Sequence, residues 1–135
     1  STLTTLNLDF NYIEKVGGIA LAEVLCVNST LTSLSLFLNQ IGKEGGIALA
    51  ETMRINSTLT FLTLSQNEIE DRGGVALAEA LSFNSTLTSL SLFENDIPSS
   101  TLSMVKKALE RNEELDRHRK CTLFSLMLPF FADFA

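Results

Sequence analysis

Leucines and other apolar residues return along this chain at a fixed interval, and their spacing within each interval changes from strand-like to helix-like. In the segment STLTSLSLFLNQIGKEGGIALAETMRIN, residues 29–56, Leu34 and Leu36 lie two apart and so point to one face of a strand. Further on, apolar residues such as Ala50 and Met53 follow three- and four-residue spacings. The pattern predicts a short strand followed by an amphipathic helix in each interval.

The interval is 28 residues long and occurs four times over residues 1–112. The other copies read STLTTLNLDFNYIEKVGGIALAEVLCVN, STLTFLTLSQNEIEDRGGVALAEALSFN and STLTSLSLFENDIPSSTLSMVKKALERN. A fifth copy begins with EEL at Glu113 and then departs from the pattern. A helix of about ten residues is not stable alone in water, so each copy must pack on its neighbours. We therefore predict four repeats in residues 1–112 and a decayed fifth repeat with an apolar cap or tail in residues 113–135.

The consensus LxxLxLxxNxIxxxGGxALAExLxxN resembles the leucine-rich repeat family, and it is most similar to the ribonuclease-inhibitor-like subclass. The resemblance implies an α/β solenoid, a right-handed horseshoe segment with a parallel sheet on its concave face and helices on its convex face. Geometry agrees, because neighbouring strands lie about 4.8 Å apart whereas helices need about 8–10 Å, so the stack bends with strands inside. In that family such modules form ligand-sensing regions of intracellular nucleotide-binding immune receptors and a GTPase-activating protein.

The triplet NST occurs at Asn28, Asn56 and Asn84 and matches the acceptor pattern for N-glycosylation. Each asparagine falls at the end of a predicted helix, where Asn is favoured because it tolerates left-handed backbone. Asn112 keeps the asparagine but not the triplet, which favours a structural role. We therefore interpret these residues as helix stops and expect a cytoplasmic protein.

A second asparagine column ends each predicted strand. There the chain turns inward, and its buried main-chain groups need partners. The resemblance implies a ladder in which each side-chain amide bonds neighbouring turns. The members of this column are Asn11, Asn39, Asn67 and Asn95.

Positions that differ between copies are candidates for function, since the constant positions build the solenoid. Most outward strand positions hold Thr or Ser, so an aromatic ring there is a candidate anchor for a partner. Acidic residues beside the rings favour a basic partner. For Phe37 and Phe93, the alternative is that the rings tuck under the loop and complete the core. The candidate partner-binding residues on the concave strand face are Asp9, Phe10, Phe37, Leu38, Phe61, Phe93 and Glu94.

Composition and candidate chemistry narrow the function further. The chain is 45% hydrophobic, and its 16 acidic residues outnumber 10 basic ones, so nucleic acid is not an expected partner. His118 is the only histidine, and the two cysteines, Cys26 and Cys121, share no motif. No catalytic triad or metal-binding spacing is present in the sequence. We expect no enzymatic activity, no cofactor and no metal.

These observations predict a non-catalytic protein-protein interaction module, a scaffold whose partner the sequence does not name. One alternative is a regulator that activates an enzyme such as a small GTPase. Another is a self-assembling module, through the uncapped N-terminal edge at Leu3, Leu6 and Leu8 or through the C-terminal tail.

The tail CTLFSLMLPFFADFA, residues 121–135, is rich in phenylalanine and too short to span a bilayer. It has three interpretations. The favoured one is a cap folded back over the last repeat, because an exposed apolar tail is an aggregation liability. The others are a binding segment for a partner or second copy, and interfacial attachment to a membrane, which is the least favoured.

Overall fold

Strands and helices alternate four times along the chain, and a computed structural model describes residues 2–132. Each strand is only three residues long, and the last helix is far longer than the others. The strands are β1 (Thr5–Asn7), β2 (Ser33–Ser35), β3 (Phe61–Thr63) and β4 (Ser89–Ser91). The helices are α1 (Glu14–Val27), α2 (Gly42–Met53), α3 (Glu70–Leu81) and α4 (Ser99–Ala132).

The four strands form one parallel sheet in the order β1-β2-β3-β4. Leu6 pairs with Leu34, Leu34 with Leu62, and Leu62 with Leu90, so equivalent positions of successive copies lie side by side. Each α-helix connects one strand to the next, as a parallel sheet requires. The α/β architecture predicted from the two periodicities is therefore confirmed.

The core lies between the sheet and the helices. Leu34 and Leu36 of the second copy are fully buried, and so are Leu62 and Leu64 of the third. Small residues bring neighbouring helices close together. A Cβ atom added at Gly46 would lie 3.0 Å from Cδ1 of Ile69 in the next copy, so this contact excludes any side chain larger than hydrogen without movement.

The strand-end asparagines form the expected ladder. Asn39 Oδ1 accepts from the main-chain N–H of Asn11 at 2.9 Å, and its Nδ2 donates to the carbonyl of Leu8 at 2.9 Å. Asn67 and Asn95 repeat these contacts, and both are buried. The ladder satisfies main-chain groups that the inward turn removes from water.

The asparagines that end the copies, including Asn112, form a second ladder. It lies near the start of the strands, whereas the first ladder lies near their end. The side-chain amide of Asn56 donates to the carbonyl of Leu25 at 3.0 Å, and that of Asn112 donates to the carbonyl of Asn84 at 2.9 Å. The side chains of Asn56 and Asn112 are almost entirely buried. Their structural role is thus explained by hydrogen bonding between copies.

The left-handed backbone predicted at these asparagines is wrong for Asn28, which has φ −73° and ψ 129°. Its side-chain oxygen instead accepts from the N–H of Thr30 and Leu31, so a side-chain turn replaces the left-handed stop. Left-handed residues occur beside the other asparagine ladder, for example Phe10 at φ 60° and Leu38 at φ 57°.

The C-terminal region differs from the favoured expectation. Helix α4 has 34 residues and runs without interruption through Glu113, where the decayed repeat was predicted to begin. The sheet stops after β4, but residues 121–130 are all exposed, so they do not fold back over the last copy. The reason is local: Glu113 and Glu114 follow Asn112 where the other copies have a turn, and they are good helix formers. Residues 133–135 of the tail lie outside the described part, and the division at residue 112 stays a prediction.

Candidate interaction surface

The concave strand face carries its aromatic rings mainly in one row, just after the strands end. In the first two copies Phe10 and Phe37 contact each other edge to face, with ring centroids 5.1 Å apart and an angle of 88°. Phe10 is 62% exposed, whereas Phe37 is half-buried. Edge-to-face contact is a favoured aromatic geometry, so Phe37 holds the exposed ring of Phe10 in place.

Phe93 lies in the same row at the far end of the sheet. It is 77% exposed, so the alternative that its ring completes the core is wrong. The corresponding ring of Phe37 is half-buried, but it packs against Phe10 on the surface. A phenylalanine ring this exposed gains little within the chain and is available to a partner.

Asp9 joins the first two copies. Its Oδ1 accepts from the hydroxyl of Ser35 at 2.6 Å and from the N–H of Phe37 at 2.8 Å. Ser65 does the same between the third and fourth copies, contacting the hydroxyl of Ser91 at 2.8 Å and accepting from the N–H of Phe93 at 3.2 Å. Along the row, a polar residue that forms hydrogen bonds to the next copy alternates with a phenylalanine. The sequence alone did not indicate these hydrogen bonds.

Leu38 and Glu94 occupy the next position of the row, and both have left-handed backbone, at φ 57° and 55°. Such residues are strained unless the surroundings fix them. The N–H of Leu38 donates to the carbonyl of Ser65 at 3.1 Å, which fixes its conformation. The Oε2 atom of Glu94 accepts from the side-chain amide of Gln66 at 2.6 Å, so its carboxylate lies beside the row.

Phe61 lies apart from this row. It pairs with Ser33 and Ser89 at the start of the strands and is 40% exposed. The aromatic row follows four residues later in each copy, which is about 13 Å along a strand. The structure thus groups six of the candidate residues along one edge and leaves Phe61 as a separate candidate.

The threonine column of the strand face has a structural role that sequence reasoning missed. The hydroxyl of Thr32 donates to the carbonyl of Thr4 at 3.1 Å, and Thr60 and Thr88 repeat the contact. The threonine hydroxyls therefore bond the preceding strand, and they are less available to a partner than their exposure implies. The signal was present, because Thr is invariant at this position of all four copies.

Sequence reasoning also missed an exposed apolar row at the helix ends. Val27 is 84% exposed, and Ile55 and Phe83, at equivalent positions, are each 67% exposed. The guanidinium carbon of Arg54 lies 4.7 Å from the ring centroid of Phe83, which is cation–π geometry. An apolar residue immediately before each NST asparagine was the available signal.

The open side of the last repeat contains a groove of about 880 Å³, which we call the terminal groove. One wall is β4 and the residues that follow it, and the other is the first half of α4. Leu90 and Leu109 line it and are half-buried, while Leu92 and Val105 form its floor and are buried. Its volume lies within the range of about 300–1,000 Å³ that is usual for binding pockets.

Within residues 2–132, no group of three or more His, Cys, Asp or Glu side chains is arranged to hold a metal ion. His118 is on the exposed part of α4, with Nε2 3.9 Å from Oε1 of Glu114. Cys26 in α1 and Cys121 in α4 are both exposed, and neither forms a disulfide within the described residues. None of the helices described is both long and apolar enough to cross a membrane.

The fold is a repeat solenoid of the α/β class. Its short strands form one parallel sheet, its helices are stacked, and asparagine ladders join the copies. Residues 1–22, 27–50, 56–78 and 83–99 match a family model described as Leucine Rich repeat. These segments make up more than half of the chain, so it belongs to the leucine-rich repeat family. The predicted family is confirmed.

Solved structures share this fold. The structure described as leiomodin-1 actin-binding site 2 is similar with a TM-score of 0.84 and 25% identity, covering 92% of this chain and 72% of that chain. A tropomodulin C-terminal domain from Caenorhabditis elegans is similar with a TM-score of 0.54 and 16% identity, covering 89% of this chain and 90% of that one. No curated protein matches the sequence.

Proposed function

We propose that this chain is a non-catalytic protein-interaction module that binds a protein partner on its concave strand face. The observation that carries the proposal is the exposure of aromatic rings beside the ends of the paired strands, with Phe10 62% and Phe93 77% exposed. Exposed aromatic rings are typical anchors of protein interfaces. The proposed contact residues are Asp9, Phe10, Phe37, Leu38, Phe61, Phe93 and Glu94.

The charge near the row favours a partner with a basic surface. Glu94 and Asp96 follow Phe93 in the sequence, and both are exposed. Complementary charge mainly raises the association rate and orients the partner. The observed affinity should therefore fall as the salt concentration rises.

Actin is the first partner to test. The leiomodin-1 structure is described as actin-binding site 2 and is 25% identical over 92% of this chain.

Four copies at an interval of 28 residues, each with one helix, support assignment to the ribonuclease-inhibitor-like subclass. Two free cysteines and side-chain amides engaged at Asn56 and Asn84 support a cytoplasmic location.

The test is a titration of labelled protein with monomeric actin, followed by fluorescence anisotropy. If the proposal is right, Phe93→Ser weakens binding about tenfold or more, because an interface anchor contributes at least about 1.4 kcal/mol. The matched control is Val27→Ser, which removes an apolar side chain that is 84% exposed at a helix end, away from the strand face. That variant should bind like the unmodified protein.

Three results would count against the proposal. Absence of binding excludes actin as the partner. Binding that is insensitive to Phe93→Ser and to Phe61→Ser excludes the concave strand face as the site. Binding that is weakened by Val27→Ser instead moves the site to the exposed row at the helix ends.

A further inference from the structure

The terminal groove lies on the last strand of the described sheet, where a further repeat would stack in a longer solenoid. Residues 98–102 of the fourth copy differ from their counterparts at the point where that repeat would have to bind. Two of these residues, Pro98 and Leu102, each change a contact that joins the other copies.

Pro98 removes a hydrogen-bond donor. In the first three copies the N–H at this position, on Glu14, Gly42 and Glu70, donates to the carbonyl of the next copy's asparagine at 2.8 Å. Proline has no N–H, so the fourth copy cannot make this bond to a following copy. Proline at the edge of a sheet is a common protection against further strand addition.

Leu102 fills space that a following repeat would need. At the equivalent positions of the first three copies, glycines let an isoleucine of the next copy approach closely. A Cβ atom at Gly18 would lie 2.8 Å from Ile41 Cγ2, and one at Gly74 would lie 2.8 Å from Ile97 Cγ2. The side chain of Leu102 extends well beyond Cβ, so stacking in the same register is sterically blocked.

The groove is nevertheless apolar and has an acidic rim. Leu90, Leu92 and Leu109 line it, and the charged residues at its border are mostly acidic, among them Glu94 and Glu110, with Lys106 as a basic exception. Phe93 also lines the groove, so an occupant of the groove would compete with a partner at this end of the concave strand face. A fitting occupant would offer apolar side chains next to basic ones.

Helix α4 carries such a segment on the same face that lines the groove. At 100° per residue, the groove-lining positions Leu102, Val105 and Leu109 continue along one side of the helix. The charged residues Glu113, Asp116 and Lys120 come next on this side, and the apolar residues Leu123, Phe124 and Met127 follow.

These tail residues are uncovered by the rest of the described chain. Leu123 and Phe124 are each 60% exposed, and Met127 is 49% exposed. Earlier parts of the helix are anchored, since Asn112 donates to the carbonyl of Leu87 at 2.8 Å and Arg119 donates to that of Ser85 at 2.8 Å. The tail is therefore a supported helix whose apolar side chains, as far as the structure describes them, are not covered by other residues.

We propose that two copies of this chain form an antiparallel dimer in which the α4 tail of each copy fills the terminal groove of the other. With a two-fold axis near Asp116, Glu113 of one copy lies opposite Lys120 of the other. Leu109 then lies opposite Leu123 and Phe124, at the apolar part of the tail. In such an isologous interface every pair of residues occurs twice, once from each copy, so each favourable contact contributes twice to the stability of the dimer.

The order of side chains along this face favours a second copy over another partner. It reads apolar, acidic, basic, apolar from Leu102 to Met127. Antiparallel pairing of two identical helices matches apolar with apolar and Glu113 with Lys120. The two Asp116 carboxylates meet near the axis, where the Lys120 ammonium of the same helix, 2.8 Å from each, offsets their repulsion. Burial of the tail would also remove an exposed apolar patch, which soluble proteins usually avoid.

The first experiment measures molar mass by light scattering after size exclusion, using the full chain over a wide concentration range. The expected mass is twice 14.8 kDa for the unmodified protein. Leu123→Asp should lower it to 14.8 kDa at concentrations where the unmodified protein remains dimeric. The control is Ser125→Asp, because Ser125 is exposed but lies about 200° around the helix from Leu123.

The second experiment uses charge reversal and tests the antiparallel register directly. Glu113→Lys and Lys120→Glu should each give monomers, because each places like charges opposite one another. An equimolar mixture of the two variants should recover a dimer, since both interfacial pairs are then opposite in charge. Glu114→Lys is the control, because Glu114 lies on the opposite side of the helix. Circular dichroism melting checks that every variant is folded.

Several results would overturn the dimer. A monomer at every concentration excludes it, and so does a dimer that survives Leu123→Asp. Failure of the mixed charge variants to associate excludes the antiparallel register. Dissociation by Leu3→Asp alone would move the contact to the N-terminal edge. A monomer that binds anionic phosphatidylserine vesicles through the tail would assign the tail to a membrane surface instead.

Discussion

The side-chain amide of Asn84 donates a hydrogen bond to the main-chain carbonyl of Met53 at 2.8 Å, across the boundary between two copies. The same amide donates to the carbonyl of Asn56 at 3.1 Å, and its oxygen accepts from the N–H of Leu87 at 2.8 Å. One buried side chain therefore joins two copies and shapes the turn into the next strand. This relationship explains why the residue recurs at every copy.

Replacement of Asn84 by alanine should destabilise the fold by about 2–4 kcal/mol, because several buried main-chain groups lose their partners. The control is Asn28→Ala. Asn28 makes the turn bonds to Thr30 and Leu31 but has no described copy before it to bond. Its loss should be about 1 kcal/mol. Urea denaturation followed by circular dichroism measures both, and equal losses would contradict the role of the bonds between copies.

Glycosylation should be absent at Asn56 and Asn84 when the protein is expressed in a secretory host and folds. The nitrogen that a glycan would modify is buried in each and donates to carbonyls of the preceding copy. Intact mass spectrometry before and after glycosidase treatment checks this. Full occupancy at either site in a folded protein would show that these hydrogen bonds are not maintained.

Gly46→Ala should destabilise the protein, although alanine is the better helix former. The added Cβ would lie 3.0 and 3.1 Å from two atoms of Ile69, and overpacking costs about 1–3 kcal/mol. The gain in helix propensity is at most about 1 kcal/mol, so the clash dominates. Glu51→Ala, at an exposed position of the same helix, is the control and should change stability by less than about 0.5 kcal/mol. A stabilised Gly46→Ala variant would show that the two helices can separate without cost.

The side-chain hydrogen bond from Lys120, at 2.8 Å, lowers the pKa of Asp116 below its usual 3.8. Because the folded pKa is depressed, the pair's contribution to the helix is present above the ordinary pKa of aspartate. It is lost as the pH falls through the lower folded pKa. Titration by NMR should give a pKa below 3.8 for Asp116, and Lys120→Gln should raise it towards that value. An unchanged pKa in that variant would exclude the pair as the cause.

Much of the fold could be predicted from the sequence because the pattern is repeated. The strand leucines, such as Leu34 and Leu62, and the Asn39 column have the same neighbours in every copy, so one interpretation serves all of them. Pairing in register follows, since a shift by one residue would turn the leucines to the solvent face.

The candidate site was less predictable. Phe37 packs against Phe10 of the preceding copy, whereas Phe93 has Gln66 at the equivalent position and stays exposed. A single strand does not contain that information, because the contact is made between copies. Asp9 was predicted as an acidic contact for a partner, but its Oδ1 atom is engaged by Ser35 and Phe37. Whether these residues bind a partner remains a prediction.

The amino-acid sequence by itself determined the α/β repeat, the alternation of strands and helices over the four copies, and the family. Each of these follows from short-range periodicity, repeated four times. The tertiary structure decided the course of α4 beyond Asn112, the exposure of the tail and the shape of the terminal groove. Such features depend on contacts that one region makes, or fails to make, with distant parts of the chain. The apolar tail at Leu123 and Met127 would suit a cap equally well by composition, and only its position on an extended helix separates the two arrangements.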